Sequence, residues 1–192
     1  LGAQEVELAA EALECESRLL PFPAGLATTD GLWRLVYSSA LSAGSGSGGG
    51  AGRNSATVFQ TPDTGSFNSF GPGSQVGQVY ARISSRKQKL ENIVEVFLRT
   101  PVPFLPLNLG KIVLNLEHRL EIAGDRKVKI SLENITARNR VDLRGNQAAA
   151  LKIPVLDALS SQGAGVFDTT YCDDSLRITR GDRGELRIFT KA

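Results

Sequence analysis

The sequence is poor in the residues from which metal and catalytic sites are most often built. Its 192 residues contain one histidine, two cysteines and no methionine. Cys15 and Cys172 lie far apart and belong to no CxxC or Cys/His ligand pattern, which favours two free thiols over a disulfide. No carboxylates alternate inward at metal-ligand spacing either. We therefore predict no metal site.

Two further absences narrow the class of protein. The 22 Lys and Arg residues are nearly balanced by 20 Asp and Glu residues, and they are interspersed with acids, as in DRKVKISLE. This pattern argues against nucleic-acid binding. No segment approaches the roughly 18 consecutive apolar residues of a membrane-spanning helix, and no signal peptide is recognisable. The composition is that of an ordinary globular protein, and we predict one domain over residues 1–192.

The first segment predicts one amphipathic helix. AQEVELAAEALECESRLL (3–20) carries apolar residues near helical spacing, and the prolines of PFP end the pattern. Residues 1–25 are thus predicted to form this helix and a proline-rich link, and residues 30–192 the remainder of the domain. The predicted apolar positions of the helix are Val6, Ala9, Ala10, Leu13 and Leu20.

From Asp30 onward the apolar residues recur with the period of β-strands. The predicted strands are 32–39, 56–60, 76–84, 90–99, 111–122, 127–137, 165–171, 175–180 and 185–190. Nine strands at hairpin-like spacing beside a single helix favour an antiparallel β-barrel over a sandwich. SAGSGSGGGAGRNS (42–55) is predicted to be a flexible Gly/Ser loop, since it lacks a phosphate-loop motif.

A proline-rich connection follows the predicted strand at 90–99. LRTPVPFLPLNLG (98–110) contains three prolines, which exclude a central strand because proline cannot donate to a ladder. The segment either closes one end of the barrel or presents apolar surface to a membrane or a partner.

Strict alternation assigns the faces of the strands. The residues predicted to line the interior are Trp33, Leu35, Tyr37, Val94, Val96, Leu114, Leu116, His118, Ile130 and Leu132. The polar residues predicted on the same faces are Asn92, His118, Asn134 and Thr136. An apolar cavity with a few convergent polar groups is typical of a lipophilic-ligand site, whereas in a filled core the same groups satisfy one another by hydrogen bonds. Both interpretations remain open.

The residues that could support catalysis have simpler explanations. His118 lies on an apolar face, where a core histidine is more common than a catalyst, and no nucleophile–base set can be named around it. Asp173 and Asp174 fall between two strands, where aspartate forms turns. The Arg-Gly-Asp tripeptide lies in the turn of the hairpin LRITRGDRGELRIF (176–189), which explains it without integrin binding. We predict that the protein is not an enzyme.

The same closing hairpin contains arginines on both faces. Alternation places Ile178 and Arg180 on one face and Arg177 and Thr179 on the other. An arginine on or beside the apolar face can stack on an aromatic ring, most obviously that of Trp33. Arg180 therefore joins the residues predicted to line the interior.

Four stretches occur in the order in which a known family has them. They are LECESRLLPFP (13–23), DGLWRLVYSS (30–39), KLENIVEV (89–96) and FDTTYCDDSLRITRGDRGELRIF (167–189). They resemble, respectively, the helix with its proline-rich link, the Gly-x-Trp-Arg-Leu-x-Tyr strand, the Asn-containing middle strand and the closing segment of the plastid lipid-associated proteins. This family is also called the plastid fibrillins or plastoglobulins. The departures are the 42–55 insert and Cys172, where an aliphatic residue is expected.

The resemblance implies a lipocalin-like β-barrel in the plastid (chloroplast), reached by a transit peptide that is removed. It also implies noncatalytic binding or sequestration of a hydrophobic plastid molecule at plastoglobules or thylakoids. The expected ligands are a carotenoid, a prenylquinone, a fatty acid or a galactolipid, with no required cofactor. The alternative is a structural or interaction protein that docks on a thylakoid complex, a lipid globule or a prenyl-biosynthetic enzyme. In such barrels the tryptophan closes the floor and a late arginine packs over it, here Trp33 and one of Arg177 or Arg180.

Overall fold

A computed structural model describes residues 2–39, 74–98, 110–139, 151–152, 165–182 and 184–192. Helix α1 spans Ala3–Cys15, and a 3-10 helix spans Ala24–Thr29. The strands are β1 (Gly31–Ser38), β2 (Ser74–Ser84), β3 (Lys89–Leu98), β4 (Gly110–Ile122), β5 (Lys127–Asn139), β6 (Leu151–Lys152), β7 (Gly165–Cys172), β8 (Leu176–Gly181) and β9 (Leu186–Lys191). The predicted loop at 42–55, the predicted strand at 56–60 and the connection at 99–109 lie outside the described residues.

Eight of these strands form one antiparallel sheet that closes into a ring. The order is β4-β3-β2-β1-β9-β8-β7-β5, and β4 pairs with β5 to complete the circle, while the short β6 adds to β5. Apart from 56–60, every predicted strand is present, and its ends lie within about two residues of the predicted ones. Such small differences are expected where turn residues mark the boundaries. The predicted mainly-β class, an antiparallel barrel with an N-terminal helix, is confirmed.

β-Bulges interrupt four of the strand pairings. Register shifts occur between β1 and β9, β2 and β3, β4 and β5, and β7 and β8. An extra residue in one strand reverses the in–out alternation beyond it. At Glu133 this reversal buries Ile135 and Ala137. The prediction that Asn134 and Thr136 face inward is therefore wrong.

Helix α1 ends five residues earlier than predicted, at Cys15 instead of residue 20. The chain leaves the helix so that Leu19, Phe22 and Leu26 can enter the same core cluster as Trp33. Leu20, predicted on the apolar face of the helix, is instead 59% exposed. The link that follows the helix is thus part of the core.

Helix α1 packs against the outside of the ring. Ala10 is fully buried there against Ile178 and Leu186, with Val6 and Leu13 beside it. One face of strands β7, β8, β9 and β1 therefore lines the interior of the ring, and the other packs against the helix. Within the described residues, neither helix has the length and apolar character needed to cross a lipid bilayer.

Candidate functional site

The interior of the ring is closed at one end, which we call the lower end. The turns at 85–88, 123–126 and 173–175 lie at this end because they follow β2, β4 and β7 in the antiparallel order. The link reaches the same end, where the Phe22 backbone N–H donates to the Asp125 carbonyl over 2.6 Å.

Trp33 lies in the core at the lower end, with none of its surface exposed. Its indole Nε1 donates a hydrogen bond of 2.7 Å to the carbonyl of Thr29, which satisfies the only polar atom of the ring. Leu19 and Phe22 from the link, and Leu26 from the 3-10 helix, pack in the same cluster. Trp33 and the link together close the lower end.

A largely apolar surface, with His118 as a buried polar member, covers the inner faces of β2–β5. We call its apolar residues the apolar wall. It consists of Val79, Ala81, Ile83, Leu90, Val94, Val96, Ile112, Leu114, Leu116, Leu120, Val128, Ile135 and Ala137, each no more than 6% exposed. Ile130 and Leu132 lie on the same face and are partly buried. Val94, Val96, Leu114 and Leu116, which were predicted to line the interior, belong to this wall. Contact of any of them with a ligand stays a prediction.

The opposite inner face, on β1, β9, β8 and β7, carries buried polar side chains beside apolar ones. The cross-strand register aligns Ser38, Arg187, Thr179 and Thr169 in one row. It aligns Leu35, Phe189, Arg177 and Cys172 in the adjacent inner row. Ser38, Thr179, Thr169 and Arg177 are all buried. We call these two rows the polar wall.

Tyr37 lies on the outer face, which corrects its prediction as an interior residue. The bulge at Val36 reverses the alternation of β1, so that Tyr37 pairs with Ile188 and packs in the cluster beneath α1. The same reversal turns Ser38 inward. Trp33 and Leu35, which precede the bulge, keep their predicted inner positions.

Arg180 also lies on the outer face, contrary to its prediction. Its Nη1 contacts Glu7 Oε1 at 2.6 Å, and its Nε and Nη2 each donate to a carboxylate oxygen of Glu14 over 2.9 Å. The hydrogen bonds with Glu14 raise the pKa of Arg180 against the opposing effect of burial. Arg180 therefore fastens helix α1 to the ring.

Neither of the two candidate arginines covers Trp33. Lys191 does so, with its Nζ 4.2 Å from the centroid of the indole. Arg177 points its guanidinium carbon at Phe189 and Phe167, at 4.9 and 5.7 Å from the ring centroids. The expectation of an arginine over the tryptophan is wrong, and a lysine takes that position.

His118 is buried on the inner face of β4, as predicted. Its Nδ1 lies 3.1 Å from the carbonyl oxygen of Leu116. Burial lowers the pKa of His118 more than the hydrogen bonds with the backbone of Leu90 and Leu116 and the charge of Glu133 raise it. The ring is therefore neutral near pH 7 and bonded to main-chain groups, as in a core histidine.

The remaining polar motifs have structural roles. Asp173 organises the β7–β8 turn: its Oδ1 accepts hydrogen bonds of 2.7 Å from the backbone N–H groups of both Ser175 and Leu176. The predicted turn at Asp173-Asp174 is confirmed. Cys15 and Cys172 are free thiols. Among the residues that the structure describes, no three His, Cys, Asp or Glu side chains are grouped as metal ligands would be.

Comparisons with known proteins identify the family of the chain. The sequence profile of the family PAP_fibrillin matches residues 3–190. The chain belongs to this family. It is 38% identical over 193 residues to plastid-lipid-associated protein 6, chloroplastic, of Arabidopsis thaliana. That alignment covers 98% of this chain and 62% of the relative, so the chain spans less than two thirds of the relative's length. No solved structure matches the chain.

Proposed function

We propose that this protein binds a hydrophobic plastid molecule inside the ring of strands without changing it chemically. The observation that carries the proposal is the apolar wall, a buried and largely apolar surface on the inner faces of four adjacent strands. A closed lower end and an apolar wall suit the chain of a carotenoid, a prenylquinone, a fatty acid or a galactolipid. Burial of such a chain is favoured roughly in proportion to the apolar area removed from water.

Membership of the family supports a plastid location for this function. The relative's name describes it as plastid-lipid-associated and chloroplastic. We infer that this protein acts in the plastid and associates peripherally with plastoglobules or thylakoids, after removal of a transit peptide.

Binding is favoured over catalysis because the one histidine is committed to the main chain. The buried ring of His118 is hydrogen-bonded to the backbone of both Leu116 and Leu90, so its hydrogen-bond partners are main-chain groups, as in a core histidine. The Cys172 thiol is a poor nucleophile because burial raises its pKa.

The alternative function, docking on a thylakoid complex, a lipid globule or a biosynthetic enzyme, requires an apolar surface patch. The exposed large apolar side chains among the described residues are Leu8, Leu20, Val36, Phe97 and Ile122, which come from five different elements or links. Single exposed apolar residues are common on ordinary protein surfaces. The described surface therefore gives the interior-binding proposal the stronger support.

A filling substitution in the apolar wall tests the proposal. Methyl cis-parinarate, a neutral fluorescent polyene, serves as the probe, and wild-type protein is expected to bind it. Val96→Phe extends a buried inner side chain into the interior, and we expect it to weaken binding at least about fivefold, since overpacking an apolar site costs about 1–3 kcal/mol.

The matched control is Val113→Phe, the same substitution on the outer face of the adjacent strand β4. It is expected to leave the probe affinity unchanged. Equal loss in both variants, or no binding by wild-type protein, would argue against an interior site. Organic extraction of protein purified from plastid membranes, followed by mass spectrometry, identifies the native ligand.

A further inference from the structure

The polar wall contains a charged side chain with unused hydrogen-bonding capacity. Arg177 is only 2% exposed, and its guanidinium lies over the rings of Phe189 and Phe167. Among the described residues, neither its Nε nor its Nη1 has a hydrogen-bond partner. Buried polar groups in folded proteins are nearly always paired, so these two donors call for an acceptor.

Among the described residues, no side chain near Arg177 supplies the missing negative charge. Within the described part of the chain, Arg177 forms no ion pair with an acidic residue, and the titratable groups that act on it are Cys172 and Arg187. Burial raises the pKa of the Cys172 thiol, so this neighbour is neutral near pH 7. Arg187 is itself a cation.

Arg177 keeps its charge in these surroundings. Burial lowers the pKa of Arg177 to about 10, mainly through loss of solvation, and the proximity of Arg187 acts in the same direction. A value of about 10 still leaves the guanidinium fully protonated near pH 7. An isolated buried charge is unfavourable unless a counter-ion accompanies it.

The adjacent inner row extends the polar character of this region. Thr169, Thr179 and Ser38 bring buried hydroxyl groups to the row that also contains Arg187. Across the ring lies the apolar wall. The interior therefore has a cation and hydroxyl groups on one side, set among aromatic rings, and the apolar wall on the other. Such a surface matches an amphiphile with an acidic head and a hydrocarbon chain.

We propose that Arg177 binds the anionic head of a long-chain amphiphile whose hydrocarbon portion lies along the apolar wall. The head is a carboxylate or a phosphate ester, since both accept hydrogen bonds from guanidinium donors. This inference rests on the proposed function, because the head can reach Arg177 only if the chain enters the ring. It assigns a role to a residue that no comparison with known proteins assigns.

The test compares an acid with its neutral ester. Wild-type protein is titrated with cis-parinaric acid and with methyl cis-parinarate, which share one chain and differ only in the charge of the head. We expect the acid to bind at least about tenfold more tightly, the gain typical of a charge-assisted hydrogen bond. Arg177→Met is expected to abolish this preference, because the carboxylate then loses its cationic partner.

The matched control is Arg34→Met, which removes an exposed arginine of β1. It is expected to keep the preference for the acid. Arg177→Lys retains a cation and is expected to retain part of the preference. Displacement of bound cis-parinaric acid by dodecanoate, dodecyl phosphate and dodecanol then separates the two possible heads from a neutral chain of equal length.

The outcomes separate this inference from the proposed function. If acid and ester bind wild-type protein equally, or if dodecanol competes as well as both anions, the role of Arg177 is refuted and the proposed function stands. Persistence of the preference in Arg177→Met refutes it as well. If neither probe binds, both proposals fail. The wild-type comparison needs no variant, so it decides the question even if Arg177→Met does not fold.

Discussion

Lys191 covers the indole of Trp33, with its Nζ 4.2 Å from the ring centroid and 2.6 Å from the carbonyl oxygen of Asp30. The last residues of β9 are thereby joined to the first residues of β1 at the lower end of the ring. The Ala192 backbone N–H adds a hydrogen bond of 2.9 Å to the Leu32 carbonyl. The C-terminal end of β9 is thus held against the N-terminal end of β1, beside Trp33.

Replacement of this lysine should loosen the lower end. Lys191→Met removes the cation and its hydrogen bond, and we expect the free energy of unfolding to fall by about 1 kcal/mol, as for exposed cation–π contacts. Urea unfolding followed by the fluorescence of Trp33, the only tryptophan, measures this change. Lys191→Arg retains a cation over the ring and should lose less than half as much. Equal losses in the two variants would show that the positive charge contributes nothing.

Gly31 lies directly under the same lysine and should not tolerate a side chain. Its φ of +126° is rare for other residues, and a Cβ atom there would lie 2.6 Å from the Nζ of Lys191. We expect Gly31→Ala to lower the unfolding free energy by about 2–3 kcal/mol through backbone strain and displacement of Lys191.

Gly184→Ala is the control for the backbone part of this effect. Gly184 also has a positive φ, of +82°, but a Cβ there meets no atom within 4 Å. Its cost should be about 1 kcal/mol. If Gly31→Ala proves no more destabilising than Gly184→Ala, the close contact with Lys191 is not important. In the double variant Gly31→Ala/Lys191→Ala, part of the loss should be recovered.

The strands could be predicted because their ends are marked by turn residues, but their faces could not be followed through the bulges. Trp33 and Leu35 face inward as predicted, and the extra residue Val36 then reverses the pattern at Tyr37. A bulge has no compositional mark, because one inserted residue changes the parity of the strand and nothing else. The same limitation misplaced Asn134 beyond the bulge at Glu133.

The inner face of the closing hairpin was predicted wrongly for a different reason. Its strands are buried on both faces, inside the ring and beneath α1, so alternation cannot distinguish in from out. The apolar face that contains Ile178 belongs to the contact with the helix, and the face that contains Arg177 lines the interior. The amphipathic helix at the N-terminus was the signal that could have revealed this, since its apolar side requires an apolar partner on the outside of the ring.

The contact of Arg180 with Glu14 should hold α1 on the ring. Both side chains are partly buried, with 24% and 16% of their surface exposed, and the pair has two hydrogen bonds of 2.9 Å. We expect Glu14→Gln to lower the unfolding free energy by about 1–2 kcal/mol, because a charge-assisted contact is replaced by a neutral one. Hydrogen exchange of the α1 amides should accelerate in the same variant.

Glu11→Gln removes a carboxylate from an exposed position of the same helix and is the matched control. It should change stability by less than about 0.5 kcal/mol and leave the exchange of α1 unaltered. Equal acceleration in both variants would mean that helix charge in general, and not the contact with Arg180, governs the docking of α1.

Asp173 should make the β7–β8 turn sensitive to acid. Burial alone would raise the pKa of Asp173, but hydrogen bonds from the Ser175 backbone and hydroxyl, the Tyr171 hydroxyl and the Leu176 backbone outweigh it and lower the pKa to about 2. Because the folded pKa lies below the unfolded value of about 3.9, the stabilisation is fully present above about pH 4. It is lost as the pH falls through about 2.

The difference between wild type and Asp173→Asn isolates this contribution from the other carboxylates. The turn is exposed, so solvent screening limits the loss near pH 7 to about 1 kcal/mol or less, which corresponds to about 2–4 °C in Tm. The Tm difference should shrink between about pH 4 and pH 2, since both proteins then have an uncharged side chain at this position. A Tm difference between wild type and Asp173→Asn that stays constant down to about pH 2 would show that the charge of Asp173 does not stabilise the turn.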